Sequence, residues 1–508
     1  LFEPMDDLRQ SGKNNGARVN AGDGAAIAVE PGLRSDCLSY MEVLAQSISV
    51  IAPSTVPAAI LGLIFAAAGD ATWLSFLIGM LGLVAVSYNI NQFARRSASA
   101  GSLYSYIVKG LGPTTGVLGG WALLFGYTLT GMSTLCGFSV VSHELLSAYG
   151  ISLSPLWLYA LGASGAFLFA YKDVQLSARA MLFFEGAALA AVLALGTIVW
   201  RHSDFQIDVA QIRLQGATPG GVLMGVVLVV FAFSGFESST SLGEEAKDPL
   251  RSIPRSVIQS VVVAGLVFIF MAYVTIIGFK DMSADLAKSE APLSYLATEL
   301  GWPRLGAFIN IGILLSFFSC TLASINSTAR IIYAMARHGL MYEALGTAHD
   351  KNETPHIAAA VAATITLIVT TSVYLLGASP FESQGYFGTL CSFGFLTAYT
   401  LISLAAPAYL YKIGEGGKGA LTVSGLAVAF MLVPFLGVIG VPGSELFPPP
   451  AYPNNLLVWI FLAYMAVAGA WLASLKILKP RKLPDVLRAN GIEGAYRASA
   501  STVSSDVN

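Results

Sequence analysis

From about residue 38 onward, apolar residues run in stretches near 20 long, broken by clusters of Gly, Pro and charge. A helix rising 1.5 Å per residue needs about 20 such residues to cross roughly 30 Å of hydrocarbon. The pattern therefore predicts twelve membrane helices, near residues 39–67, 73–93, 114–147, 154–171, 178–200, 219–246, 254–279, 304–337, 356–376, 385–411, 420–440 and 455–478. Residues 1–37 are polar and rich in Gly and Asn, and they read as a disordered cytoplasmic tail without a cleavable signal peptide. Residues 479–508 read as a second cytoplasmic tail.

Two of these spans depart from uniformity. The first reads SYMEVLAQSISVIAPSTVPAAILGLIFAAAG, with Pro53 and Pro57 flanking Ser54 and Thr55 near its middle. Each proline removes a backbone donor and clashes with an earlier carbonyl, so the helix is expected to be interrupted there. The sixth contains VVFAFSGFESSTSLGEEAKDP, and Ser234–Gly235 mark its interruption. Spans 1 and 6 open two successive five-helix halves, residues 38–200 and 219–411. Five is odd, so the second half starts from the opposite face of the membrane. Proline kinks and small residues also serve packing in membrane helices, but matched interruptions in inverted halves point to a transporter with its substrate site at the breaks. Helices 11 and 12, residues 420–478, fall outside the repeat and are expected at the periphery.

Composition narrows the class. Of 508 residues, 55% are hydrophobic and 11% charged, against roughly 25% charged in a soluble domain. The mean hydropathy is +0.68, and the chain reads as an all-α integral membrane protein whose partner is the lipid bilayer. With 28 Lys and Arg against 30 Asp and Glu, no basic patch recommends a nucleic-acid partner. Cys37, Cys136, Cys320 and Cys391 are scattered, so neither a disulfide framework nor a metal site is expected. His143–Glu144 is too isolated for a metal that needs three or four ligands. No nucleophile constellation or cofactor motif marks an enzyme.

Charge also sets the orientation. Only Arg201, Arg213, Lys280, Lys288 and Arg304 fall in the odd-numbered connections, while the other 23 basic residues lie in the tails and even-numbered connections. By the positive-inside rule both termini are cytoplasmic, in a plasma (inner) membrane.

Helix direction then gives the breaks opposite polarity. Helix 1 runs outward, so the N-terminus of its outer half, at Pro53, Ser54, Thr55 and Val56, presents N–H groups and a positive dipole end suited to a carboxylate. Helix 6 runs inward, so its outer half ends in the carbonyls of Phe231, Ala232 and Phe233, beside Ser234 and Gly235, expected to be unpaired and suited to an ammonium. A zwitterionic amino acid would satisfy both ends. A polyamine would call for several carboxylates, and near the breaks the sequence offers Glu237 alone. Phe231, Phe233 and Phe236 are candidates for an aromatic gate. Carboxylates at membrane depth are costly, which marks Glu185 and Glu237 as functional candidates; the structural alternative for Glu237 is to cap the inner half-helix from its N-terminus.

Three longer motifs carry a family resemblance. FAFSGFESSTSLGEEAKDPLRSIPRSV, residues 231–257, is similar to the sixth-helix signature of amino acid permeases of the amino acid/polyamine/organocation (APC) superfamily. RRSASAGSLYSYIVKGLGP, residues 95–113, resembles that family's loop between helices 2 and 3, and the stretch from Ser327 to Pro355 resembles its helix 8 exit. Departures stand at Ala98, Ser102 and Tyr342, and Ala52–Pro53–Ser54–Thr55 replaces a Gly-rich first break. The resemblance spans about residues 38–478 and implies a LeuT-like 5+5 inverted repeat and secondary transport of amino acids or related amines. It also implies that helix 5 lies against helices 1 and 8, where Glu185 with Ser316 and Ser319 would take up a proton or hold a cation. Glu244, Glu245, Lys247, Asp248, Arg251 and Arg255 form a dense charge run; such runs are commonly solvated faces, but the resemblance implies that this one forms an inner gate with Arg95 or Arg96. The expected function is proton-coupled amino acid symport by a monomer or homodimer, with Na+ less favoured as coupling ion and no other cofactor. The alternatives are an amino acid exchanger or a polyamine or alkanolamine permease.

Overall fold

The computed structural model describes residues 32–479 except 281 and 290, together with 483, 485 and 486. The expected tail 479–508 lies almost wholly outside these residues, as does most of 1–37. The described part of the first tail, residues 32–37, is docked: Arg34 meets Asp173 at 3.1 Å and the Cys37 N–H donates to the Glu245 carbonyl at 3.0 Å.

The described residues are helical, with no strand beyond one isolated bridge between Leu38 and Ala246. In chain order the helices are α1 (Tyr40–Ile51), α2 (Thr55–Ala59), α3 (Leu61–Ala68), α4 (Thr72–Ala94), α5 (Ser102–Leu111), α6 (Pro113–Ser147), α7 (Pro155–Lys172), α8 (Val174–His202) and α9 (Val209–Ile212). They continue as α10 (Pro219–Ala232), α11 (Pro249–Phe279), α12 (Pro292–Glu299), α13 (Pro303–Arg337), α14 (His356–Leu375), α15 (Pro380–Lys412), α16 (Lys418–Ile439) and α17 (Leu457–Leu478). Among the described residues nine helical stretches are long and apolar enough to cross a membrane. The chain is a multi-pass membrane protein.

Helix starts follow local chemistry. Proline stands first in α6, α7, α10, α11, α12, α13 and α15, where its missing N–H costs nothing. This is why α11 and α15 begin five residues before the hydrophobic pattern predicts: Pro249 opens one, and a Ser379–Glu382 capping box fixes the other.

The stretch after α4, read as a loop, contains the ten-residue helix α5. Its Leu103, Tyr104, Ile107 and Val108 recur at helical spacing and are buried against α6 and α15. The sixth expected span also differs. Its α-helix stops at Ala232, and the remainder is a turn followed by a 3-10 segment, Ser238–Leu242.

At the end of the bundle away from the N-terminus, Lys280 Nζ sits 2.5 Å from Asp208 Oδ1 and ties two connections together. Burial alone would raise the Asp208 pKa, but Lys280, Gln211 and the Ala210 N–H outweigh it and hold the carboxyl below its ordinary value.

Long helices approach one another through glycine. A Cβ on Gly394 of α15 would lie 2.4 Å from the Ala122 carbonyl oxygen and 2.7 Å from the Gly126 nitrogen of α6. These are backbone atoms that cannot step aside. Gly394→Leu is expected to cost at least about 1–3 kcal/mol of overpacking, seen as a lower unfolding midpoint of the detergent-purified protein than for Gly388→Ala, where the nearest atom is 3.5 Å away.

Candidate functional site

Helical hydrogen bonding stops at Ile51 and resumes at Thr55. Pro53 has no N–H to offer the Ser49 carbonyl and bars Ala52 from the right-handed helical region. Ala52 turns left-handed, with φ 49° and ψ 62°. Thr55 closes the turn by donating both its N–H (2.9 Å) and its hydroxyl (2.8 Å) to the Ala52 carbonyl.

The donor end at Ser54 is already engaged. Glu185 Oε1 of α8 accepts from the Ser54 hydroxyl at 3.0 Å and its N–H at 3.4 Å, and Oε2 accepts from the Ser316 hydroxyl of α13 at 2.5 Å. One turn further along α13, Ser319 donates to the Ser49 hydroxyl at 3.0 Å and Cys320 to the Val50 carbonyl at 3.2 Å. Glu185, Ser316 and Ser319 thus join α8 and α13 to the interruption, around a carboxylate that is 2% exposed.

The second interruption lies directly against the first. Gly235 adopts φ +84°, a conformation open to glycine, and a Cβ there would fall 2.1 Å from Val50 Cγ1 of α1. The turn consumes much of what the helix end exposes: the carbonyl of Phe231 accepts from Ser234 N–H at 3.0 Å and that of Phe233 from Phe236 N–H at 3.3 Å. Expected as unpaired, these two carbonyls are occupied, because a tight turn folds its own N–H groups back onto them. The Ala232 carbonyl takes no part in these turn bonds. Phe233 packs edge-on to Phe268, and Phe236 against Tyr399, each with ring centroids 5.0 Å apart. Both rings are fully buried, while Phe231 is half-buried.

Glu237 is fully buried; it stands at the N-cap position of the 3-10 segment that follows, but its side chain makes no capping hydrogen bond there. Tyr127 of α6 donates to its Oε1 at 2.7 Å, and Tyr399 of α15 donates to its Oε2. Tyr399 in turn accepts the Gly235 N–H at 2.9 Å. The two tyrosines were not legible as site residues, because tyrosine is common at helix contacts and nothing local marks a partner more than a hundred residues away.

Past Glu237, the hydroxyl run is stitched to its neighbours. The Ser239 N–H donates to Ser47 Oγ at 3.0 Å, Ser238 Oγ to the Gln46 carbonyl at 3.1 Å, and Ser256 Oγ of α11 to Ser239 Oγ at 2.6 Å. The Glu245 carbonyl then accepts the Leu38 N–H at 2.9 Å, and the Leu38 carbonyl accepts the Lys247 N–H at 3.0 Å.

The charged segment finds a different partner from the one expected. Glu245 is fully buried and forms a fork-to-fork pair with Arg330 of α13, Nε to Oε2 at 2.6 Å and Nη2 to Oε1 at 2.8 Å. Arg330 also donates to the Asn326 carbonyl at 3.1 Å. Glu244 Oε1 instead accepts the Ala100 N–H at 3.2 Å. Arg96 pairs with Glu415 and Arg95 is exposed, so neither arginine engages the acidic pair. An arginine that must pair inside protein is favoured where its planar fork matches a carboxylate, and among the described residues Arg330 is the arginine that is buried. At the opposite end a cavity of about 50 Å3 remains between Ala59, Val141, Ser294, Asn310 and Gln384.

Glu245→Gln leaves the Arg330 guanidinium buried and uncompensated, and such losses cost about 3–5 kcal/mol. The expected result is a strongly lowered unfolding midpoint in detergent, partly restored in Glu245→Gln/Arg330→Met. Equal stability of Glu245→Gln and the parent chain would refute the pair's role.

Comparison with known proteins agrees with this architecture. The amino acid permease family matches residues 42–439. A branched-chain amino acid permease of Bacillus subtilis is 26% identical over 72% of this chain and 80% of its own. A low-affinity putrescine importer of Escherichia coli is 25% identical over 65% and 72%, and a methylthioribose transporter of Bacillus subtilis 24% over 66% and 73%. A solved Na+-coupled sialic acid symporter, in a substrate-bound outward-open state, shares the fold with a TM-score of 0.50 at 12% identity, covering 85% of this chain and 89% of its own. With the family's match running from within α1 to the last residue of α16, this chain belongs to the amino acid permease family of the APC superfamily and is a secondary transporter.

Proposed function

We propose that the chain carries a zwitterionic amino acid across the plasma (inner) membrane by alternating access, as a proton-coupled symporter with twelve spans and both termini cytoplasmic. In this reading α1 with α2 and α3 forms an interrupted first span, and α10 with the turn and 3-10 segment after it forms an interrupted sixth.

The observation that carries the substrate class is the state of the two buried carboxylates. Both oxygens of Glu185 and both of Glu237 already accept hydroxyl hydrogens, so neither offers an idle anion to the second ammonium of a diamine. What the facing breaks retain is the polarity of their helix ends, positive at the start of α2 and negative at the end of α10, which favours a carboxylate and an ammonium on one small molecule. The relative named for branched-chain amino acids agrees with this reading, whereas the putrescine importer supports the amine alternative. The buried Arg330–Glu245 pair supports a state closed on the cytoplasmic side.

Coupling is assigned to Glu185. Its carboxylate grips the N–H and hydroxyl of Ser54, and protonation removes the charge that draws them in. A proton would thereby change how firmly the first interruption is held between α8 and α13. Exchange without net proton movement is the alternative.

Two experiments test this. A thermal-shift screen of the purified protein is expected to show stabilisation by a neutral amino acid, about 2.7 kcal/mol at 100 times its Kd, and none by putrescine; the reverse pattern would overturn the substrate class. In proteoliposomes, Glu185→Gln is expected to abolish the acceleration of uptake by an inward proton gradient while counterflow persists. An undiminished response to the gradient would refute coupling through Glu185.

A further inference from the structure

One basic cluster is left unused by the transport machinery. Arg95 at the end of α4 and Arg251 and Arg255 on the first turns of α11 surround a groove of about 350 Å3 floored by Leu250, Pro254 and Ile258. All three arginines are exposed. Arg251 reaches Asp248 only at 3.9 Å, and neither Arg95 nor Arg255 has a carboxylate partner among the described residues. The walls are fixed, because Asn91 of α4 donates to the Pro254 carbonyl of α11 at 2.9 Å.

The apolar surface continues away from this charge in one direction. On α11, Val263 and Leu266 are exposed, and on α4 so are Tyr88, Leu81 and Ile78. Tyr88 and Leu81 lie seven and fourteen residues before Arg95, spacing that keeps them near one helix face. From Arg255 to Leu266 the helix rises about 16 Å, close to half of the roughly 30 Å hydrocarbon thickness. A cationic groove at the membrane boundary with an apolar track one leaflet deep fits a two-part amphiphile.

We infer that this groove binds an anionic glycerophospholipid, its phosphate between Arg95, Arg251 and Arg255 and its acyl chains along α4 and α11. Charge complementarity selects the headgroup: zwitterionic phosphatidylcholine carries its own cation into a cluster of three guanidinium groups, whereas phosphatidylglycerol brings an uncompensated negative charge. Basic pockets between membrane helices recognise acidic headgroups in this way. Tyr40, the first residue of α1, hydrogen-bonds Gln259 at the rim of the groove, so bound lipid would rest against the helix that carries the first interruption.

The test is native mass spectrometry of the full chain, equilibrated with equal amounts of dioleoyl phosphatidylglycerol and dioleoyl phosphatidylcholine. The parent chain is expected to retain phosphatidylglycerol about tenfold in preference. Arg255→Gln should lower this about fivefold, the triple change R95Q/R251Q/R255Q should remove it, and Lys418→Gln at a remote basic position should leave it intact. A parent chain without headgroup preference, or a triple variant that keeps the full preference, would overturn the assignment. So would capture of inorganic phosphate by the parent chain without retained phosphatidylglycerol, which would mark a site for the free anion. Bound lipid is read here and not transport, so failure leaves the carrier reading standing.

Discussion

A backbone N–H or carbonyl released by a helix break inside hydrocarbon has no water to turn to, and each unsatisfied group costs some kcal/mol. The architecture around the site follows from that constraint. The helices interrupted at Ala52 and Gly235 meet where Gly235 lies against Val50, and neighbouring groups supply what the breaks lack: Glu185, itself held by Ser316, answers Ser54, Tyr399 answers Gly235, and Thr55 of the same segment answers the carbonyl of Ala52. The carboxylates are in turn tolerated because hydroxyls donate to them. Each costly group answers another, so removing one exposes its partner.

The same logic separates the two ends of the bundle. Toward the N-terminal end, Leu38 exchanges backbone hydrogen bonds with Glu245 and Lys247 in the segment after the sixth-helix break, and Arg330 locks the Glu245 side chain. The opposite end retains a small cavity beside α2. A fully buried ion pair is a poor source of net stability, since desolvation offsets much of its attraction. In the proposed alternating-access cycle the pair would form in one arrangement and break in the other, and so bias the equilibrium between the two states.

Much of this was open to inspection in the chain itself, for particular reasons. Glu185 and Glu237 stand out because a carboxylate in an apolar run has to be explained, and Pro53 announces a missing donor wherever it sits in a helix. Arg330 did not stand out, because near the end of an apolar helix an arginine reads as a side chain reaching back to the surface. Arg95 and Arg96 are the more conspicuous pair, because they open the resembling motif of residues 95–113. Helix α5 was missed although Leu103 and Ile107 recur at helical spacing, since ten residues between two long spans pass easily for a loop. The hydroxyl run Ser238–Ser241 gave no direction of its own. Its bonds to Ser47, Gln46 and Ser256 exist only once three helices converge.

What the amino-acid order determined by itself is therefore what depends on short range: the apolar spans, the prolines and glycine that interrupt two of them, and the depth at which carboxylates fall. Tertiary structure alone decided which group answers each interruption. Ser54 finds Glu185 across 131 positions, Gly235 finds Tyr399 across 164, and Glu245 finds Arg330 across 85. A hydrogen bond forms by proximity and direction within about 3 Å, and neither is encoded in the spacing of residues so far apart along the chain.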